Sequence, residues 1–126
     1  IKLAYLKEGL KMTNKKYIYF VSLSSNVPYV LKKSIEMVNP KNEVTIFFDL
    51  DGARVLDKRY LKKVTRTHGV DLVSLFKIAL EAGIKLYGCQ MNVLIADGLE
   101  LIDGAELAGV VTFLEAAYQA DAVLSY

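Results

Sequence analysis

Two hydrophobic patterns alternate along the chain. Short runs of consecutive apolar, β-branched and aromatic residues occur at 16–23 (KYIYFVSL), 43–49 (EVTIFFD), 84–89 (IKLYGC) and 122–126 (AVLSY). Such runs predict strands that are buried on both faces, as in a parallel sheet. The longer segments between them place apolar residues three or four positions apart, which predicts helices that pack one face against that sheet.

Helix starts and stops can be placed from capping and breaking residues. Asn26, followed two residues later by a proline, predicts a capped helix start, and Asn39–Pro40 predicts the end of that helix. Segment 53–66 (ARVLDKRYLKKVTR) is predicted as one basic helix. Asp71 is the expected cap of the next helix, LVSLFKIALEAG (72–83), whose apolar stripe ends at a glycine.

The C-terminal third contains one ambiguous stretch, GAELAGVVTFLEAAYQ. Gly109 favours a short strand at Ala105–Ala108 followed by a helix from about Val110, rather than one continuous helix. A short helix is expected at 90–98 (QMNVLIADG). The alternation predicts an α/β protein: three layers, α/β/α, around a mostly parallel, flavodoxin-like sheet of four to five strands.

Length and charge limit the organisation and the partners. A chain of 126 residues fits one domain, which we place at 17–126 behind a peripheral N-terminal arm at 1–16. No apolar run is long enough to cross a bilayer and no secretion signal is present, so no membrane partner and a cytoplasmic location are expected. The net charge of +2 indicates no nucleic-acid partner. The basic cluster that begins at Lys58 is read as a solvated helix face.

The cysteine and histidine counts restrict the chemistry. Cys89 is the single cysteine and His68 the single histidine, so a disulfide within the chain, a Cys-x-x-Cys pair and a multi-histidine metal site are excluded. The glycine-rich dinucleotide and nucleotide-phosphate motifs and the serine-hydrolase motif are absent. The SLSSN loop faintly resembles a flavin phosphate loop but lacks its glycine. We therefore expect no cofactor and no metal.

Ligands of open parallel sheets bind outside the carboxyl ends of the strands. That rule selects the loops at 22–26, 49–52 and 88–92. Cys89 lies in the third, where it is either an inert buried thiol or a nucleophile stabilised by the amides of a following helix. His68 is a minor candidate for proton transfer at a helix end. The candidate substrate-binding residues in the three loops are Ser24, Ser25, Asp49, Gly88, Gln90, Met91 and Asn92.

The stretch VTIFFDLDG resembles the first motif of the haloacid dehalogenase superfamily, in which Asp49 would attack phosphorus and Asp51 would act as acid and base. That family continues with a threonine after the glycine, whereas Ala53 stands here, and the later lysine and acidic pair are not found at fitting spacing. A strand-end acidic turn is the preferred interpretation, and a phosphatase remains a lesser alternative.

Three passages together resemble the DsrE/DsrF-like family of small α/β proteins: VTIFFDLDGARVLDK, FKIALEAGIKLYGCQMN and GAELAGVVTFLEAAYQADAVLSY. The resemblance implies a homo-oligomer in which Cys89 takes up sulfane sulfur, as a persulfide or thiosulfonate, and passes it on. Its partners would be sulfur donor and acceptor proteins or small sulfur compounds.

The resulting hypothesis is a sulfur carrier or sulfurtransferase acting through Cys89. The alternative is a non-catalytic oligomeric subunit or binding module in which Cys89 is structural. In either case Asp49 is expected at the same edge of the sheet as Cys89.

Overall fold

The computed structural model describes residues 15–68, 71–89 and 100–126, with residues 65–68 given by their backbone alone. Within these ranges five strands form one sheet, in which every neighbouring pair is parallel and the spatial order is β4-β3-β2-β1-β5. The strands are β1 (Lys15–Val21), β2 (Asn42–Phe48), β3 (Lys85–Cys89), β4 (Ala105–Ala108) and β5 (Ala122–Ser125).

Four α-helices are described between the strands. They are α1 (Val27–Met37), α2 (Lys58–His68), α3 (Leu72–Glu81) and α4 (Val110–Gln119). Two 3-10 segments, Ser24–Asn26 and Leu50–Leu56, follow β1 and β2 directly. The predicted class, a three-layer α/β/α fold around a parallel sheet, is confirmed.

The strand order decides which face each helix covers. The chain moves from β1 to β2, β3 and β4 in one direction across the sheet, and then returns past all of them to β5. Because parallel crossovers are right-handed, this reversal sends α4 to the face opposite α1. The packing agrees, since Phe113 of α4 contacts Ile18 and Phe47, whereas α1 packs with Tyr19 and Ile46 on the other side.

We call the side covered by α1, α2 and α3 the thick face, because it holds the main core. Strand residues at every second position contribute to it, as the alternation of a strand requires. The core is closely packed, with side chains at or below 4% exposure that include Val21, Val27, Val30, Leu31, Ile46, Phe48, Leu56, Leu61, Leu72, Phe76 and Leu86. The opposite side, covered by α4 in the described ranges, is the thin face.

Two local expectations are wrong. The predicted helix at 53–66 starts only at Lys58, because Asp57 intervenes: its carboxylate accepts the N–H groups of Arg59 (3.1 Å) and Glu100 (3.4 Å). The preceding residues form the second 3-10 segment instead. Asn26 precedes α1 as expected, but its side chain makes no capping hydrogen bond, since the 3-10 turn already leads into the helix.

Other local expectations are confirmed. Gly109 separates β4 from α4, and Asp71 caps α3, where its Oδ1 accepts the N–H of Ser74 at 3.0 Å. The predicted arm at 1–16 is too long, however, because β1 starts at Lys15 and the last two residues of the arm belong to the first strand. The helix expected at 90–98 lies outside the described residues. Among the helices that are described, none has the length and apolar character required to cross a membrane.

Candidate functional site

The site is built at the carboxyl edge of the sheet, where the connections leave in different directions. The segment after β2 runs over the thick face, whereas the helix after β4 covers the thin face. A crevice opens between connections that diverge in this way. β3 lies between these two strands and ends at Cys89. The thiol therefore stands in the crevice.

A cavity of about 240 Å³ occupies this crevice on the thin face. Cys89 is half-buried in its wall. Gly109 and Val110 close one side at the start of α4, and aromatic rings form most of the remainder. The described lining residues are Phe20, Phe47, Phe48, Asp49, Cys89, Ala108, Gly109, Val110 and Phe113.

The register of the sheet explains why Cys89 and Asp49 share this cavity. Phe48 is the partner of Gly88, so the next residues, Asp49 and Cys89, come side by side on adjacent strands. Asp49 continues the extended backbone (φ −133°, ψ 161°), which keeps its side chain on the same face as Phe47. Adjacent parallel strands lie about 5 Å apart. Asp49 and Cys89 are therefore at the same edge, and they line one cavity.

Aromatic packing fixes the cavity wall. The ring of Phe113 lies 5.0 Å from that of Phe20 and 5.0 Å from that of Phe47, the latter in an edge-to-face arrangement. Phe47 also stacks on Tyr87 at 5.1 Å. These contacts anchor the first turns of α4 to the sheet. Sequence reasoning missed this aromatic lining, although Phe47 lies two residues before Asp49 and Phe113 four residues after Gly109.

The beginning of α4 gives the cavity a positive dipole end. No side chain caps this helix, and Gly109 stands at the N-cap position, where the first intrahelical bond runs from the N–H of Phe113 to its carbonyl at 3.2 Å. The first amide groups of a helix have no partner within it and favour negative charge nearby. A thiolate or persulfide on Cys89 would lie beside this helix start.

The expected stabilising amides were those of Gln90, Met91 and Asn92, which lie outside the described residues. The described helix start beside Cys89 is that of α4, which follows β4 rather than β3. Gly88 is buried beneath Cys89 on β3, opposite Phe48. The backbone of His68 ends α2, and its side chain is outside the described part of the chain.

Ser24 and Ser25 are not brought to Cys89. They line a second cavity of about 280 Å³ on the thick face, together with Pro28, Tyr60 and Leu72 among others. The reason is the loop after β1, which is tied to the loop after β2: the N–H of Ser24 donates to Asp51 Oδ2 at 2.7 Å. Of the predicted substrate-binding residues in the part of the chain that is described, Asp49 alone lines the cavity of Cys89.

The two aspartates of the DLDG turn have different surroundings. Asp51 is fastened by Ser24 and by Arg54, whose Nη1 lies 3.2 Å from its Oδ1. The backbone N–H of Ser24, with smaller contributions from the Ser24 hydroxyl and Arg54, lowers the pKa of Asp51. Asp49 accepts the N–H of Leu50 at 2.8 Å, and Leu50 turns the chain with a left-handed φ of 49°. Asp51 is thus held by the loop after β1, whereas Asp49 lines the cavity of Cys89, so the two carboxylates do not act at one site.

A metal ion requires a set of ligand side chains that lie close together. Within the described ranges no three histidine, cysteine or carboxylate side chains form a cluster that could hold a metal ion. The absence of a metal or cofactor stays a prediction from the sequence.

Comparison with known proteins now decides the family. A sequence model of the DsrE/DsrF/DrsH-like family matches residues 9–124. The chain belongs to the DsrE/DsrF/DrsH-like family. The resemblance stated from three sequence passages is thereby confirmed, and the family is of the sulfur-relay type. No functionally curated protein matches the chain at a significant level.

A solved structure shares the fold of this family member. The crystal structure of the ychN protein from E. coli superposes with a TM-score of 0.71, covering 90% of this chain and 99% of that one. The two sequences are 18% identical. At this identity the likeness concerns the fold, and it agrees with the five-stranded parallel sheet described above.

Proposed function

We propose that this DsrE-like protein carries sulfane sulfur on Cys89 and passes it to a partner. The observation that carries the proposal is the position of Cys89: half-buried in an apolar cavity, at the carboxyl end of a strand and beside an uncapped helix start. Membership of a sulfur-relay family supports it further. A purely structural thiol would not require a cavity next to its sulfur.

The proposed uptake is an exchange at sulfur. The Cys89 thiolate attacks the outer sulfur of a donor persulfide, R–S–SH, so that a new S–S bond forms while the donor S–S bond breaks. The electron pair of that bond leaves with the donor as the thiolate R–S⁻. An acceptor thiolate then attacks the outer sulfur of Cys89–S–SH and releases Cys89 as its thiolate. No external oxidant or reductant is consumed.

The apolar cavity serves this chemistry by limiting water around the bound sulfur. Phe47 and Phe113 exclude solvent from one side of the thiol, while the start of α4 offers partial positive charge to the anionic forms of Cys89. The half-exposed position of the thiol leaves an approach for an acceptor. The sulfur donor, the sulfur acceptor and the cytoplasmic location are all parts of this proposal.

A transfer assay tests this function. The protein is loaded with an alkyl persulfide, freed of excess donor, and mixed with a small thiol whose persulfide is then trapped and quantified. We expect transfer of up to one sulfur atom per chain from the wild type and none from Cys89→Ser. Equal transfer by the two proteins would contradict the proposal.

Two alternatives remain distinguishable. A binding module with a structural cysteine predicts no sulfur uptake by the folded protein, with Cys89→Ser keeping all partner interactions. A phosphatase predicts magnesium-dependent hydrolysis of a phosphate ester that Asp49→Asn abolishes. We expect no such hydrolysis, because Asp51 is engaged by Ser24 and Arg54 rather than directed to the cavity of Asp49.

A further inference from the structure

The Cys89 cavity has an unusual charge balance. Its described lining consists of apolar and aromatic side chains plus Cys89 and one carboxylate, Asp49, and none of these residues is lysine, arginine or histidine. Residues 90–99, which follow Cys89 directly in the sequence, also contain no basic residue. A bound anion would thus face a carboxylate and aromatic rings, without a cationic side chain from these residues.

The charge of Asp49 is not offset by a neighbouring cation among the described residues. The two other aspartates of this region are each paired: Asp51 with Arg54 at 3.2 Å and Asp57 with Arg59 at 3.3 Å. Asp49 instead accepts the backbone N–H of Leu50. The Asp49 carboxylate therefore lies directly after the strand next to the thiol, in surroundings that are partly shielded from water.

The start of α4 opposes this effect only in part. A helix N-terminus is equivalent to about half a positive charge, which falls off within the first turn. A persulfide on Cys89 would already use that favourable site. A sulfonate group carries a permanent charge on three oxygens, all of which need hydrogen-bond donors when they are removed from water. The described cavity offers only backbone amides for this purpose.

We propose that Asp49 is a specificity-determining residue that makes Cys89 select sulfur donors without a sulfonate group. Sulfonate-bearing donors, such as thiosulfate and tetrathionate, are disfavoured, and the form held on Cys89 is the persulfide rather than the thiosulfonate. This inference rests on the proposed function, because it assigns the class of donor that the same thiol accepts.

Three reagents that differ in charge test the selection. Methyl methanethiosulfonate is neutral, its sulfonatoethyl analogue is anionic, and its trimethylammonioethyl analogue is cationic. In each case the Cys89 thiolate attacks the sulfenyl sulfur, a disulfide Cys89–S–S–R forms, and the S–SO₂ bond breaks with its electron pair going to methanesulfinate. Modification rates are followed by intact mass, and each charged reagent is normalised to the neutral one, which cancels changes in thiol reactivity.

We expect Asp49→Asn to raise the anionic-to-neutral rate ratio roughly tenfold and to lower the cationic-to-neutral ratio, as one charge about 5 Å from the reaction predicts. Asparagine retains an oxygen for the Leu50 N–H, so the loop contact is kept. Asp103→Asn is the matched control: it removes one charge from an exposed site that pairs with Lys58 and does not line the cavity, and both ratios should stay at the wild-type values.

Salt supplies a second readout that needs no variant. Raising the ionic strength screens Asp49, so the anionic-to-neutral ratio of the wild type should rise, whereas that of Asp49→Asn should change less. Equal ratios in the wild type and Asp49→Asn would overturn the proposed selection while leaving sulfur carriage intact. Failure of the neutral reagent to modify Cys89 in the folded wild type would instead remove the proposed function, and the selection with it.

Discussion

The two faces of the sheet are built very differently. On the thick face, helices α1 and α3 each bury several apolar side chains fully, and Val27, Leu31 and Ala79 have no exposed surface. On the thin face, α4 has no fully buried residue. Its outward side is apolar as well, with Val110, Val111, Leu114 and Tyr118 between 57% and 92% exposed.

This difference indicates that the two faces have different roles. Closely packed apolar side chains supply most of the free energy of folding, and most of them lie on the thick face. The thin face is covered less completely, and a cavity remains where α4 begins. Cys89 lines that cavity. Binding sites are commonly drawn from the less stable parts of a structure, which agrees with the position of the thiol on the face that buries fewer side chains.

The largest expected effects come from matched truncations on the two faces. Phe76 of α3 and Phe113 of α4 both point from a helix onto the sheet, but Phe76 is 3% exposed whereas Phe113 is half-buried. Phe76→Ala should reduce the free energy of unfolding by about 4 kcal/mol, and Phe113→Ala by about 1–2 kcal/mol. Denaturant unfolding measures both. Equal losses would remove the distinction between the faces.

A smaller loss of stability is expected from a substitution at Gly52. A Cβ there would lie 2.4 Å from the carbonyl oxygen of Val21, which is backbone and cannot move aside easily. Gly52→Ala should cost roughly 2–3 kcal/mol, because the loops after β1 and β2 must separate. At Gly83, with a φ of 90° and no atom within 4 Å of the added Cβ, Ala should cost only about 1 kcal/mol. Thermal unfolding of both variants checks the order.

The stability of the protein should depend on pH through Asp51, which connects the loops after β1 and β2 on the thick face. The pKa of Asp51 is lowered in the folded protein, chiefly by the Ser24 N–H. Its contribution to stability is therefore complete above the unfolded value of about 4 and is lost as the pH falls through the folded value. Between about pH 6 and pH 3, Asp51→Asn should show a weaker decline of the melting temperature than the wild type. Parallel declines would show that Asp51 is not stabilised in this way.

The smallest effect on stability is expected on the outward side of α4. Leu114 is 57% exposed, so Leu114→Glu should change the free energy of unfolding by less than about 0.5 kcal/mol. If the predicted homo-oligomer uses this side, the same substitution should reduce its mass in sedimentation. Lys33→Glu on α1 is the control, since Lys33 lies on the other side of the sheet. A monomeric wild type would refute the oligomer.

The sequence predicts the strands and their order of appearance well, because consecutive apolar residues are a strong signal. Gly109 and Cys89 are placed correctly for the same reason: a break and a strand end are local properties. Which residues share a cavity is not local. Ser24 lines the other cavity because Asp51 binds the backbone of its loop. Phe113 lines the cavity of Cys89 because the chain reverses its direction across the sheet after β4. Both depend on register and crossover, which no single segment encodes.

Sulfur uptake by the folded protein tests the central claim most directly. The wild type and Cys89→Ser are exposed to an alkyl persulfide and freed of reagent. The mass of each intact protein is then measured before and after treatment with a reducing thiol. The account predicts that the wild type gains the mass of one sulfur atom, that the thiol removes it, and that Cys89→Ser gains nothing. An unchanged wild-type mass, with the thiol shown to be free, would contradict it.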